Sequence, residues 1–416
     1  MPLKSFGTTL IACAVLVMPA HAEDITLKVD ATPSIFPEMF NQLKSTFEAE
    51  HPTIHIDLDT SQRDQSDMIQ RTMRQAVIGA LPDVSFQGFN YLKLLADAGH
   101  IQPVDQLIAA DKQWTGQRYS ASVTSATTIH GKVYGLSIAY SFPIIFYNAN
   151  LVAEVQHGNK DLPADWNGIL AVADKIQKSH PDVLGAYTRY NSFMSQGHIM
   201  SRGGSLGNVE GTAVTLTDPR DMEAFKLYRR FGELGQAKID MTDAQVRQAF
   251  ASGNVGILAD SSSSLESFAK QVAGKFEIGT THLPFAANAK LPTAGIAVVL
   301  HTKDPARRQA AWQFMSFVAG PEAQNIVGRK TGYVPANEVA VDRADLLGDY
   351  YKANPAIKGT LASIPYAGAW YVFNGPNAGR IDKLFADRLQ QVVTLKQSPD
   401  DAARALSEEI NGLIEK

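Results

Sequence analysis

The sequence predicts an α/β fold in two lobes, with doubly wound sheets joined by a hinge that the chain crosses more than once. Three observations carry this. Segments alternating with a period of two take turns with segments of helical spacing, the pattern of strand–helix–strand units. An apolar run, Pro143-Ile144-Ile145-Phe146-Tyr147-Asn148, opens a second group of such elements. Another strand, Ile296 to His301, follows a turn around Pro284 and reads as a return to the first group. The 416 residues, 45% hydrophobic and 19% charged, divide into a first lobe of 23–138 plus 284–338 and a second of 139–283 plus 339–416.

In order, Ile25 to Val29 alternates like a strand, and Phe36 to Glu50 is a helix whose apolar side is Phe36, Met39, Phe40, Leu43 and Phe47. Ile54 to Leu58 is a strand, Met68 to Ala80 a helix, Asp83 to Phe86 a strand, and Tyr91 to Ala98 a helix stopped by Gly99. Such a largely parallel sheet binds ligands at the carboxyl ends of its strands. In the second group, Asp165-Trp166 opens a helix to about Lys178 and Asp218-Pro219 another to about Leu234. Ala244 to Ala251 is a third helix, and Val255 to Ala259 a short buried strand. After Asp304-Pro305 a helix carries Trp312, Phe314, Met315 and Val318 on its core side. A last segment rich in turn residues, Asn374 to Gly379, leads into a helix from about Ile381 to Thr394.

The first 22 residues have the form of a cleaved secretory leader: Lys4, an apolar run from Leu10 to Met18, Pro19, then Ala20-His21-Ala22. Leu10-Ile11-Ala12-Cys13 also has the form of a lipoprotein box, although most of the apolar run follows Cys13. Cys13 is the only cysteine, so the exported chain has no disulfide and no cysteine metal site. A formal charge of −4 disfavours nonspecific nucleic-acid binding. No later apolar run approaches the roughly 20 residues of a membrane span.

Several residues have the chemistry of a binding site. Ser261 to Ser264 follows a strand, and Ser263-x-x-Glu266 has capping-box spacing at a helix start, where free N–H groups attract an oxyanion. Plain capping explains the same spacing. Arg380 offers a planar fork of donors to an oxyanion. Tyr333 sits in Thr331-Gly332-Tyr333-Val334-Pro335, where Gly332 permits an unusual backbone angle and the phenol can meet a ligand. Gly295 lets backbone approach a ligand closely, or merely relieves crowding. Trp370 and Tyr371 could form a platform for a sugar face, with Trp166 either joining it or pinning its helix.

These segments together resemble the family-1 extracellular solute-binding proteins of ABC importers, most nearly their glycerol-3-phosphate-binding members. The clearest parts are Pro143 to Asn148, Asp165-Trp166, the serine run before Leu265, Gly295 before its strand, Ala311-Trp312-Gln313-Phe314, and Thr331 to Pro335. The resemblance implies a two-lobed periplasmic binding protein fold that closes over a small solute in the periplasm and delivers it to an inner-membrane permease. It implies a monomer without cofactor or metal. It places Ser141, Ser261, Gly295, Tyr333 and Arg380 in the cleft. Two positions depart from it: Asp64 stands where a tyrosine is expected and Gly88 where a glutamate is expected. The solute implied is glycerol-3-phosphate or a glycerophosphodiester, with Asp64 facing hydroxyls or a cationic head group; the alternative is a mono- or oligosaccharide stacked on Trp370 and Tyr371.

Enzyme motifs lack their context. Gly203-Gly204-Ser205-Leu206-Gly207 fits G-x-S-x-G, but its flanks are helix-like and hairpin-like (Val209 to Thr217) rather than strand then helix. His51 and His55 lie four apart on a strand-like segment, which separates their rings by about 13 Å. Asp57-x-Asp59 lacks the other ligands of a calcium loop. The chain therefore reads as a receptor that leaves its solute unchanged.

Overall fold

The computed structural model describes residues 24–414 apart from 115–117, 120–123, 209–212, 215, 217, 372 and 374–376. The leader, part of the Val209 to Thr217 segment and Asn374 to Pro376 lie outside the described residues.

The first sheet begins with β1 (Ile25–Asp30), β2 (Ile54–Asp59) and β3 (Val84–Gly88), with α1 (Pro37–Glu50), α2 (Gln65–Val77) and α3 (Phe89–Asp97) between and after them. The strand β1 pairs in parallel with both β2 and β3. Pro37 supplies the fixed φ of a helix start, and α1 buries Met39, Phe40, Leu43 and Phe47 against this sheet. The chain then runs through β4 (Gly135–Ser141) and, after the single residue Phe142, β5 (Pro143–Asn148). β4 belongs to the first sheet and β5 to the second.

The second lobe contains α4 (Trp166–Ser179), β6 (Leu184–Thr188), α5 (Ser192–Met200), α6 (Pro219–Glu233), α7 (Asp243–Ala251), β7 (Val255–Ser261), α8 (Leu265–Val272) and β8 (Ile278–His282). Its sheet runs β8-β5-β7-β6. The chain returns as β9 (Leu291–Leu300), followed by α9 (Pro305–Ala319), α10 (Pro321–Lys330) and β10 (Val334–Pro335). The first sheet is therefore ordered β10-β4-β9-β3-β1-β2. Beyond Pro335 the chain returns to this sheet at Ala367–Ala369, which pairs in parallel with Leu291–Thr293 of β9, and α11 (Ala378–Val393) and α12 (Pro399–Leu413) pack with α6 into a helical layer around Phe225, Tyr228, Phe385, Leu389 and Leu406.

Two expectations need correction. The first sheet is not largely parallel, because β9 runs antiparallel to both β3 and β4. A parallel neighbour needs a crossover packed on the same sheet; β9 instead arrives directly from the other lobe, and β4 leaves directly towards it. The first lobe also extends past residue 138, since Ala139, Tyr140 and Ser141 stay paired with Ile296, Gly295 and Ala294. All of β4 is buried, and its pairing with β9 shifts register at Ile138 but resumes through Ser141, up to the crossing itself. No helix among the described residues is long and apolar enough to cross a membrane.

Candidate functional site

Strand register gathers several of the expected residues around the first crossing. Tyr140 pairs with Gly295 on one side and Val334 on the other, which brings Ser141 and Tyr333 to the same end of the first sheet. Pro143, just across Phe142, pairs with Ser261. The crossing is pinned to the serine run: the Phe142 N–H donates to Ser262 Oγ at 3.1 Å, and the Ser262 N–H donates to the Phe142 carbonyl at 2.8 Å. Thr331 Oγ1 donates to the Val327 carbonyl at 2.8 Å and accepts the Tyr333 N–H at 3.1 Å, which fixes the turn. Gly332 is needed there for close approach rather than an unusual angle, since a Cβ would lie 2.2 Å from the Ser262 carbonyl oxygen. Tyr333 from the first lobe thereby hydrogen-bonds Ser263 of the second, and burial pushes its phenol up to about 12.

Beneath this hydroxyl cluster lies Asp260, fully buried at the end of β7. Arg189 and Arg247 both grip it, the latter at 2.7 and 3.1 Å, and Arg189 also binds Asp243. Burial alone would push the Asp260 carboxyl up, but the two guanidiniums outweigh it and hold it well below the usual carboxylate range. Asp260 in turn accepts the Ser261 N–H at 2.7 Å and the Ser264 hydroxyl at 3.3 Å. Ser261 Oγ lies 2.9 Å from Ser263 Oγ. The expected capping box does not form: Ser264, not Ser263, precedes α8, and Glu266 accepts from the Tyr350 hydroxyl at 2.6 Å. The buried carboxylate thus holds both ends of the serine run, the Ser261 backbone and the Ser264 hydroxyl. The charge of Arg247 acts on the Tyr333 phenol in the opposite direction to burial.

A second group of residues stands on helix starts and loops, a set termed the rim. On the first lobe, Asp64 caps α2 by accepting the Asp67 N–H at 2.9 Å and is exposed. Gly88 ends β3 and immediately precedes α3. Tyr91 on α3 hydrogen-bonds Ser66 and Asn90, and its phenol is raised first by burial and then by the charge of Asp382 in the second lobe. Asp382, on α11, is itself raised by burial, offset in part by a hydrogen bond from Ser192. Arg380 lies exposed in the first turn of the same helix. The Trp370 ring stands 5.3 Å from Phe193 on α5, and Gln196 holds the neighbouring backbone of Tyr371 at 3.0 Å in both directions. Tyr91 of the first lobe and Asp382 of the second thus approach closely enough for the carboxylate charge to act on the phenol, while Arg380 stands exposed two residues before Asp382 on the same helix.

Other expected contacts turn out to be packing. Trp166 is buried against His198 and Phe231, at ring distances of 5.4 and 5.8 Å, and serves as core. The room left by the missing Cβ of Gly295 is taken by the Phe89 ring, 2.1 Å from where that atom would stand, so this glycine relieves crowding. The Tyr371 ring packs on Phe373 at 5.1 Å, with its hydroxyl turned towards Gly207 and buried without a partner among the described residues, rather than offering a platform beside Trp370. Ser205 Oγ donates to the Gly207 carbonyl at 2.8 Å, an ordinary turn.

Asp260, Arg247, Tyr91 and Asp382 escaped the sequence reading. Asp260 had one signal, a charge ending an apolar strand just before the serines. Asp382 had another, a carboxylate between Ile381 and Phe385, two residues that the helix buries.

The chain matches the family model described as bacterial extracellular solute-binding protein over residues 42–359. A binding protein of Brucella abortus (strain 2308) is 23% identical over 418 residues, covering 99% of this chain and 97% of that one. Among solved structures, UgpB from Mycobacterium tuberculosis in complex with glycerophosphocholine superposes with a TM-score of 0.81 at 19% identity, covering 95% of this chain and 98% of that one. The GacH receptor of Streptomyces glaucescens, solved unliganded and with acarbose, gives a TM-score of 0.80 at 17% identity, covering 94% and 99%.

Proposed function

The chain belongs to the bacterial extracellular solute-binding proteins, and from that premise we propose that it captures glycerol-3-phosphate or a glycerophosphodiester such as glycerophosphocholine in the periplasm and hands it to an inner-membrane permease. Its family and fold are those of binding proteins that serve ABC importers, not of enzymes.

The observation that carries the choice of solute is the hydroxyl cluster of Ser261, Ser263 and Tyr333 over Arg247. It offers short, fixed donors to a phosphate oxygen, and the buried Asp260 holds the guanidinium in place. Arg380 supplies a further cation at the rim. Asp64 and Asp382 suit the other end of such a solute, its glycerol hydroxyls or a cationic head group. Tyr91 and Asp382 come from different lobes, so a solute held between them favours the closed form and shifts the population towards it. The receptor then presents both lobes in one arrangement to the permease.

A neutral saccharide is the second reading, favoured by the exposed part of the Trp370–Phe193 pair and by the two rim carboxylates. Calorimetry of the leaderless protein against glycerol-3-phosphate, glycerophosphocholine and maltose separates them. The phosphate reading expects micromolar or tighter binding of a phosphate ester, weakened at least tenfold by Arg380→Ala. Sugar binding that survives Arg380→Ala, with no response to either phosphate ester, removes it.

A further inference from the structure

Gln65, the first residue of α2, carries a side-chain amide whose Nε2 and Oε1 are both buried without a hydrogen-bond partner among the described residues. Leaving both ends of an amide unpaired costs more than any packing gain of so polar a group, and such groups are rare in folded chains. Its position is specific. It lies at the carboxyl end of β2, beside Gly88 at the carboxyl end of β3, where α/β sheets take their ligands. A Cβ on Gly88 would stand 3.2 and 3.3 Å from Gln65 Cγ and Cβ, and 2.6 Å from Asn90 Oδ1. Glycine at 88 is therefore what gives the Gln65 and Asn90 side chains their shared space. Ser66, Asn90 and Tyr91, which form the first-lobe side of the rim, surround the same corner.

We propose that Gln65 is a solute-contacting residue: its amide turns over Gly88 into the cleft and takes two adjacent hydroxyls, Nε2 donating to one and Oε1 accepting from the other. Such a neutral, two-way contact selects a 1,2-diol, found in a glycerol end and in a sugar ring alike. Asp64 beside it is an acceptor only, so the amide adds a donor that the rim carboxylates lack. The inference rests on the solute-binding reading, not on which of its two solutes is right.

The test compares the leaderless protein with Gln65→Leu, which keeps much of the volume and removes the polar ends. Calorimetry uses glycerol-3-phosphate, glycerophosphocholine and maltose, together with 3-hydroxypropyl phosphate, which lacks the middle hydroxyl. The ligand that binds the unaltered protein should bind Gln65→Leu about tenfold more weakly, the order expected for a lost hydrogen-bonded pair. For the phosphate esters, the preference for glycerol-3-phosphate over 3-hydroxypropyl phosphate should disappear. The melting temperature of the unliganded variant should rise by about 2 °C, because an unpaired amide has been removed. Unchanged affinity, or a preference for the diol that persists in Gln65→Leu, overturns the proposal. Binding of none of the ligands by the unaltered protein defeats the solute reading instead, and the melting arm then decides: a fall in Tm means the amide has a structural partner and the inference is wrong.

Discussion

The crossing and the rim are built in opposite ways. At the crossing, Ser141, Ser261 and Tyr333 are placed by strand register, by backbone bonds between Phe142 and Ser262, and by the buried Arg189–Asp260–Arg247 group. At the rim, Asp64, Gln65, Tyr91, Trp370, Arg380 and Asp382 stand on helix starts and loops rather than on paired strands. The difference teaches that one end of the cleft is fixed by the fold, whereas the other can change its chemistry without disturbing a sheet. On the proposed function, recognition of the solute's varied end belongs at the rim.

The largest effect should come from breaking the crossing. Asp260→Ala leaves Arg189 buried with only Asp243 to pair it, and denaturant unfolding should show a loss of about 3–5 kcal/mol. A loss under 1 kcal/mol would mean that the carboxylate does not organise the hinge.

The lobes on either side can be told apart by pH. In the first lobe His301 is buried, with Ser85 Oγ at 2.7 Å and the His100 carbonyl at 2.8 Å, and burial lowers it to about 4. Its folded value lies below the ordinary 6.5, so its contribution is complete above 6.5 and is lost as the pH falls through 4. That contribution is about 3 kcal/mol. In the second lobe Asp221 is raised to about 7 by burial. Its contribution is complete below the ordinary 3.8 and is lost as the pH rises through 7, the opposite sign. Scanning calorimetry from pH 7 to 4 should show acid weakening the transition that His301→Phe removes from the pH profile, while Asp221→Asn flattens the opposite trend. Equal slopes in both variants would contradict the assignment.

Smaller effects separate rim from crossing. Trp370→Ala should weaken solute binding about tenfold in calorimetry with a melting temperature within 1 °C of the unaltered protein. Tyr333→Phe should cost about 1 kcal/mol in unfolding and also about fivefold in affinity, because its hydroxyl joins the lobes and, on the proposed function, also faces the solute. If the two variants behave alike, the distinction between the regions fails.

Much of the fold was legible because it rests on local periodicity. The strands Ile25–Asp30 and Ile54–Asp59 and the helices after Pro37, Asp165, Asp218 and Asp304 have their apolar spacing and caps written in adjacent residues. Strand direction was not legible, since β9 pairs with β3 across two hundred residues and nothing local says from which lobe it returns. Ser261 and Tyr333 were singled out by the motifs around them, and Ser141 only by the family resemblance; strand register puts all three at the crossing. Asp382 and Gln65 were not, because what marks them is burial beside residues distant in sequence. Trp166 and Gly295 misled for the same reason: the rings that surround one and fill the space of the other come from elsewhere in the chain.

Small-angle scattering of the leaderless protein, titrated with whichever of glycerol-3-phosphate, glycerophosphocholine or maltose binds it, tests the central claim directly. If two lobes close around a trapped solute at the Phe142 crossing, the radius of gyration falls as binding saturates. A radius that stays constant at full occupancy would show a rigid body and contradict the account.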